Sequence, residues 1–185
     1  MRHSLHVKMS HSFDVQVIYP TNTIAASEDQ STKLFLAGSI EQGKAEEWQS
    51  RIIEDLKSFT SDVNIEGKNT IKKKLTIFNP RRPDWNPNLP QEALNEVLRN
   101  QITWELDHLE MSDLICLYLD PKTTSPVSLL ELGLHMRSRK LLVCCPPGFY
   151  RKANIDITCE KYGVNVLNDY DILFSRLCGE LVNMP

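Results

Sequence analysis

The chain has 185 residues, is 41% hydrophobic and carries a formal net charge of -3. That is enough chain for one domain with a sizeable core and too little positive charge for a nucleic-acid polymer to be the default partner, although a single nucleotide needs no net positive charge. No apolar run approaches the ~20 residues of a membrane span, residues 1–12 lack the apolar centre of a signal peptide, and Cys116, Cys144, Cys145, Cys159 and Cys178, with no CxxC spacing, read as reduced core residues of a cytoplasmic protein without a metal site.

In chain order, the His- and Ser-rich residues 1–12 carry no periodic signal and are expected to be mobile. Residues 13–19 (FDVQVIY) alternate apolar and polar and suit an extra edge strand, followed by a polar loop to residue 32. Residues 1–32 thus read as an N-terminal extension and 33–185 as the α/β domain. Residues 34–37 form a continuous apolar run, as expected of a strand covered on both faces, and end in Gly38-Ser39-Ile40 before a helix over 45–59. A polar surface excursion over 60–74 leads to a second strand at 75–78. That strand runs into NPRRPDW at 79–85, and three prolines from Asn79 to Pro87 make a rigid, extended loop. Its Arg81 and Arg82 suit either a solvated surface or a ligand's 5′-phosphate.

Residues 91–110 form the longest predicted helix. Leu94, Val97, Leu98, Ile102, Leu106 and Leu109 make one apolar stripe on it, with Glu105 near the middle, Gln101 beside it and Trp104 placed for packing or subunit contact. A buried strand over 114–119 leads to a helix at 124–137. Ser125 suits its N-cap and Pro126 its first position. Val127, Leu130 and Leu134 form one face, Leu129, Leu132 and Met136 a nearly opposite one, so this helix is expected to be buried on two sides. Between them runs a polar strip of Ser128, Glu131 and His135. A carboxylate in that place is costly unless it has a partner or a task, whereas His135 reads as a surface or interface residue. A strand over 141–145, a binding loop over 146–154, a short strand over 164–167 and a helix over 170–182 complete the chain.

This alternation predicts an α/β, doubly wound sheet, Rossmann-like or flavodoxin-like, of about five parallel strands with helices on both faces. Ligands of such sheets bind beyond the carboxyl ends of the strands. The loops there are 38–44, 79–85, 120–125 and 146–154, which makes Gly38, Ser39, Asn79, Arg81, Asp84, Trp85 and Ser125 candidate substrate contacts around Glu131 and Glu105. The chain has neither GxGxxG nor GxxxxGK[ST], which disfavours a dinucleotide coenzyme or a P-loop triphosphatase, and no cofactor is expected.

FLAGSI at 35–40, NPRRPDW at 79–85, Trp104-Glu105 and SPVSLLELG at 125–133 together resemble the nucleoside 2-deoxyribosyltransferases, in particular the nucleoside 2-deoxyribosyltransferase-like branch. The resemblance covers roughly residues 34–154. It implies that Glu131 is the nucleophile, that Glu105 contacts the base and that Asn154 reaches the sugar in a neighbouring subunit's site. Where better-studied members carry an acidic base-contacting residue, this chain has Ser125. The chemistry fits two carboxylates: one beneath C1′ stabilises or traps an oxocarbenium-like centre, and the leaving base takes a proton from Glu105, Asp84 or a water they hold. The expected partner is a small nucleoside or nucleotide, with transfer to a second base or hydrolysis as the outcome. A non-catalytic nucleotide-binding or sensing domain is the reading from a different class. The second apolar face of the 124–137 helix adds the expectation of a homodimer or larger ring of dimers with shared sites.

Overall fold

A computed structural model describes residues 10–20, 30–41, 44–61, 70–86 and 88–185. The expectations for residues 1–9, for most of the 20–32 loop, for 42–43 and for the middle of the 60–74 excursion fall outside the described residues. Among the described residues six strands and five helices follow in the order β1 (Ser10–Ile18), β2 (Thr32–Gly38), α1 (Trp48–Ser58), β3 (Thr70–Phe78), α2 (Glu96–Met111), β4 (Leu114–Tyr118), α3 (Pro126–His135), β5 (Leu141–Cys144), α4 (Lys152–Tyr162), β6 (Val166–Leu167) and α5 (Tyr170–Asn183). All pairings are parallel and the sheet order is β1-β3-β2-β4-β5-β6. Without the edge strand β1 this is the flavodoxin-like order, an open doubly wound α/β sheet. No helix of the described residues is long and apolar enough to cross a membrane.

Period-two alternation of the strand side chains builds two cores. Leu34, Leu36, Leu75, Ile77, Cys116, Tyr118 and Leu142 face α1 and α5, where Trp48, Ile52, Leu56, Leu173 and Leu177 meet them. Phe35, Ala37, Phe78, Ile115, Leu117 and Val143 face the other way, towards Leu109 of α2, Leu132 and Met136 of α3, and Ile155 and Cys159 of α4. All five cysteines are free and buried, and burial raises each thiol above its ordinary pKa, so they behave as small apolar side chains.

Four expectations change. The second strand begins at Thr70, because the Lys-rich half that reads as surface pairs residue for residue with β1, and Lys72 bridges Asp14 at 3.1 Å. The long helix begins at Glu96, because the Asn95 side chain accepts from the Leu98 amide and caps it there. Helix α4 begins inside the expected 146–154 loop; its buried stripe is only Ile155 and Cys159, too thin a periodic signal to stand out, and Gly163 in the left-handed region closes it. Last, α3 buries one apolar face only: Leu132 and Met136 are inside, while Val127, Leu130 and Leu134 are exposed. On α2 likewise Leu98 and Leu109 are buried but Val97, Ile102 and Leu106 are exposed, as is Leu94 just before the helix.

Candidate active site

The sheet order reverses between β2 and β4, from which the chain leaves towards opposite faces, to α1 and to α3. A crevice at that switch point is where such sheets bind ligands. Here the two strand ends touch. Gly38 has φ +131°, the Ser39 amide donates to the Tyr118 carbonyl at 2.9 Å, and a Cβ on Gly38 would lie 2.1 Å from that same oxygen. Ser39 is fully buried. Its hydroxyl lies 2.8 Å from Thr123 Oγ1 and 2.6 Å from Ser125 Oγ, the latter two are 2.7 Å apart, and the Asp120 amide donates to Ser39 Oγ at 2.8 Å. The three hydroxyls bond one another, so Ser39 and Ser125, each expected as a substrate contact, are tied together in a buried cluster.

Ser125 stands at the N-cap of α3, with Pro126 next as expected, yet its hydroxyl caps nothing; φ 45° turns it into the hydroxyl cluster. Glu41 does the capping. Its Oε1 accepts from the amides of Thr124 (2.8 Å) and Ser125 (2.9 Å) and from the Thr124 hydroxyl (3.0 Å), and Lys44 meets Oε2 at 3.1 Å. Burial works against the Glu41 charge, but the two amides, Lys44 and the hydroxyl outweigh it and hold the pKa at about 2. Glu41→Ala is therefore expected to cost about 1–2 kcal/mol at pH 7. Since the folded pKa lies below the unfolded value, this contribution is complete above about pH 4.5 and is lost as pH falls towards 2. Urea unfolding of both proteins at pH 7 and pH 3 measures it; an equal deficit at both would contradict the charge argument.

The 79–85 loop is held from three sides. Asn79 is buried, donates its amide to Ile18 O and accepts from the Arg81 amide, both at 3.0 Å. Arg81 turns towards the start of α1, donating to Glu46 O (2.8 Å) and Gln49 Oε1 (3.0 Å) and bridging Glu47 (2.7 Å). Its guanidinium is spent on structure. Arg82 grips Asp84 with two bonds, 3.0 and 2.7 Å, and lies over the Trp85 ring. That grip holds the exposed Asp84 carboxyl below its ordinary pKa, which makes Asp84 a poor proton donor.

Glu105 and Glu131 come together across α2 and α3. Glu131 is 8% exposed and makes no hydrogen bond or ion pair among the described residues. Burial, reinforced by the charge of Glu105, pushes its pKa up to about 8. Burial raises Glu105 as well, opposed by a 2.7 Å hydrogen bond from Gln101 Nε2. Burial favours the protonated form of each carboxyl, and the two titrations belong to the pair. Trp104 is a packing wedge, stacked on His108 at 4.1 Å, tilted against Phe35 and edge-on to Phe78. His135, expected at a surface or interface, is instead buried on the Glu131 strip, where burial lowers its pKa. Asn154 is exposed in the first turn of α4 and makes no hydrogen bond to the other candidates among the described residues. Among the described residues no group of three or more His, Cys, Asp or Glu is arranged to hold a metal.

Gln101 is marked in the sequence by its place beside Glu105, four residues before it on one helix face. One participant is not. Glu41 gives no local signal, because it caps a helix 84 residues away.

A flavodoxin-like parallel sheet defines the class, and beside its switch point the buried Glu131 lies within electrostatic reach of the half-buried Glu105. Within it, the chain belongs to the family described as nucleoside 2-deoxyribosyltransferase like, whose model matches residues 31–149. That span contains Gly38, Ser39, Asn79, Arg81, Glu105, Ser125 and Glu131, while Asn154 lies beyond it. A comparison with curated proteins gave no match.

Proposed function

We propose that the protein cleaves the N-glycosidic bond of nucleosides, with Glu131 as nucleophile and Glu105 as proton donor to the departing base. The observation that carries this is the unpartnered, buried Glu131 within electrostatic reach of a second, half-buried carboxyl, Glu105. In the first step the Glu131 carboxylate bonds to C1′ as the C1′–N bond breaks; that bond's electron pair stays on the base nitrogen, and the base takes its proton from Glu105. In the second step an incoming base or water attacks C1′, gives its proton to the Glu105 carboxylate and frees Glu131. Asp84, held ionised by Arg82, is the weaker choice of acid. Arg81, committed to α1, favours uncharged nucleosides over 5′-monophosphates.

The productive form has the proton on Glu105 and none on Glu131, so kcat/KM should rise as Glu131 ionises towards pH 8 and fall where Glu105 loses its proton. The direct test is incubation with a panel of deoxynucleosides and their monophosphates, with and without free adenine, following base release by chromatography. Release only when adenine is present identifies a transferase and release without it a hydrolase. No release from any member overturns the proposal.

A second copy of the chain belongs to this reading. Leu130, next to Glu131, is 64% exposed, and Val127 and Leu134 beside it are exposed too. With Val97, Ile102 and Leu106 of α2 on the same side of the sheet, this supports a homodimer that buries the outer faces of both helices and brings Asn154 to a neighbouring site. Light scattering should give a dimer or larger assembly for the native chain and a folded, inactive monomer for Leu130→Asp; a native monomer would contradict it. Mixing inactive Glu131→Gln with inactive Asn154→Ala after subunit exchange should restore part of the activity through one intact composite site.

A further inference from the structure

Gln101 is 7% exposed and stands one turn before Glu105 on α2. Its Nε2 donates twice, to the Pro80 carbonyl at 3.1 Å and to Glu105 Oε1 at 2.7 Å. Its Oε1 is buried and meets no donor among the described residues. The amide cannot turn over without setting that oxygen against the Pro80 carbonyl, an obligate acceptor, so its orientation is fixed by its neighbours. Leaving a buried acceptor without a donor is destabilising, and a methionine in the same space would avoid it. The arrangement therefore does something other than stabilise the fold.

The structure of this junction lets us infer, on the reading that Glu105 is the proton donor, that Gln101 is its positioning residue: it ties the Glu105 carboxyl to the 79–85 loop and reserves Oε2 for the transferred proton. With Oε1 taken by an N–H donor, the proton resides on Oε2, which has no hydrogen bond among the described residues. The anchor at the other end is rigid, since Asn79 and Arg81 fasten both sides of Pro80 to β1 and to α1. The hydrogen bond favours the ionised form of Glu105 and so makes its acid form readier to give up the proton. From the neighbouring elements, the charged group facing Glu105 is Glu131 on α3; Arg81 of the loop is turned to α1, and Arg82 grips Asp84.

Two substitutions test this with opposite signs. Gln101→Met keeps the length and removes the donor, so Glu105 should hold its proton more tightly. The alkaline limb of the kcat profile should move up by about one pH unit, and kcat should fall about tenfold with KM little changed. Gln101→Lys keeps donors and adds a cation, so the limb should move down. The same shifts should appear without any substrate, in the Glu105 side-chain carboxyl resonance of 13C-labelled protein titrated by NMR and assigned with Glu105→Gln. A folded Gln101→Met or Gln101→Lys protein whose Glu105 titration stays at the native value overturns the inference, and stability loss without a shift would make Gln101 structural. Native protein that releases no base overturns the functional reading instead, so the two failures are distinguishable.

Discussion

Glu131→Gln is expected to lower base release by about 10³-fold or more and, at the same time, to make the protein more stable. The loss follows from the chemistry: a neutral amide neither bonds to C1′ nor balances an oxocarbenium charge. The gain follows from the site, because Glu131 is buried without a partner beside a second carboxyl. Its folded pKa of about 8 lies well above the unfolded value near 4.3. The folded state therefore binds the proton more tightly, and its stability declines as pH rises from about 4 to 8. A shift of that size corresponds to at most about 5 kcal/mol at pH 8, and Glu131→Gln removes that cost. Urea unfolding at pH 5 and pH 8 should show the variant gaining more at pH 8, while chromatography of the same protein shows no base release. A variant that is inactive and also less stable at pH 8 would point to a structural role. Equal turnover would remove Glu131 from the mechanism.

The same imbalance explains why Glu131 stood out in the sequence: a helix so apolar makes one carboxylate visible by contrast. The sheet was legible for a related reason, since LFLA, LICLYL and LLVC are apolar runs that only a strand covered on both faces requires. What was hidden depends on distant contacts. The lysines of β3 look solvated until β1 lies beside them, and Ser125 looks like a helix cap until Ser39 takes its hydroxyl and Glu41 takes its amide. Arg81 looks like a phosphate contact until the segment leading into α1 supplies the Ala45 and Glu46 carbonyls for it. Apolar periodicity likewise marked the stripes on α2 and α3 without saying which residues the sheet covers and which stay exposed. Each of these depends on which element the fold sets alongside, and local periodicity does not encode that.

Gly38→Ala is expected to do the largest damage to the fold for the smallest chemical change. Two independent penalties meet at this residue. A φ of +131° lies in a region that side-chain-bearing residues rarely adopt, at a cost on the order of 1–3 kcal/mol. The added methyl would also stand 2.1 Å from the Tyr118 carbonyl and 2.8 Å from its amide nitrogen, both backbone atoms of a central strand. Those atoms cannot swing aside like a side-chain tip, so β2 and β4 must separate, at roughly 1–3 kcal/mol or more. Together the two terms approach the ~5–15 kcal/mol total stability of an ordinary domain. Separation would also break the Ser39 to Tyr118 hydrogen bond and open the Ser39, Thr123 and Ser125 cluster under the start of α3, displacing Glu131 even in molecules that stay folded. Gly179→Ala is the matched control. That glycine lies inside α5 with no atom within 4 Å of the place an added methyl would take, so alanine there should stabilise by about 0.5–1 kcal/mol. Urea midpoints should therefore move in opposite directions for the same substitution, and a Gly38→Ala protein as stable as the native chain would mean that β2 and β4 do not make this close approach.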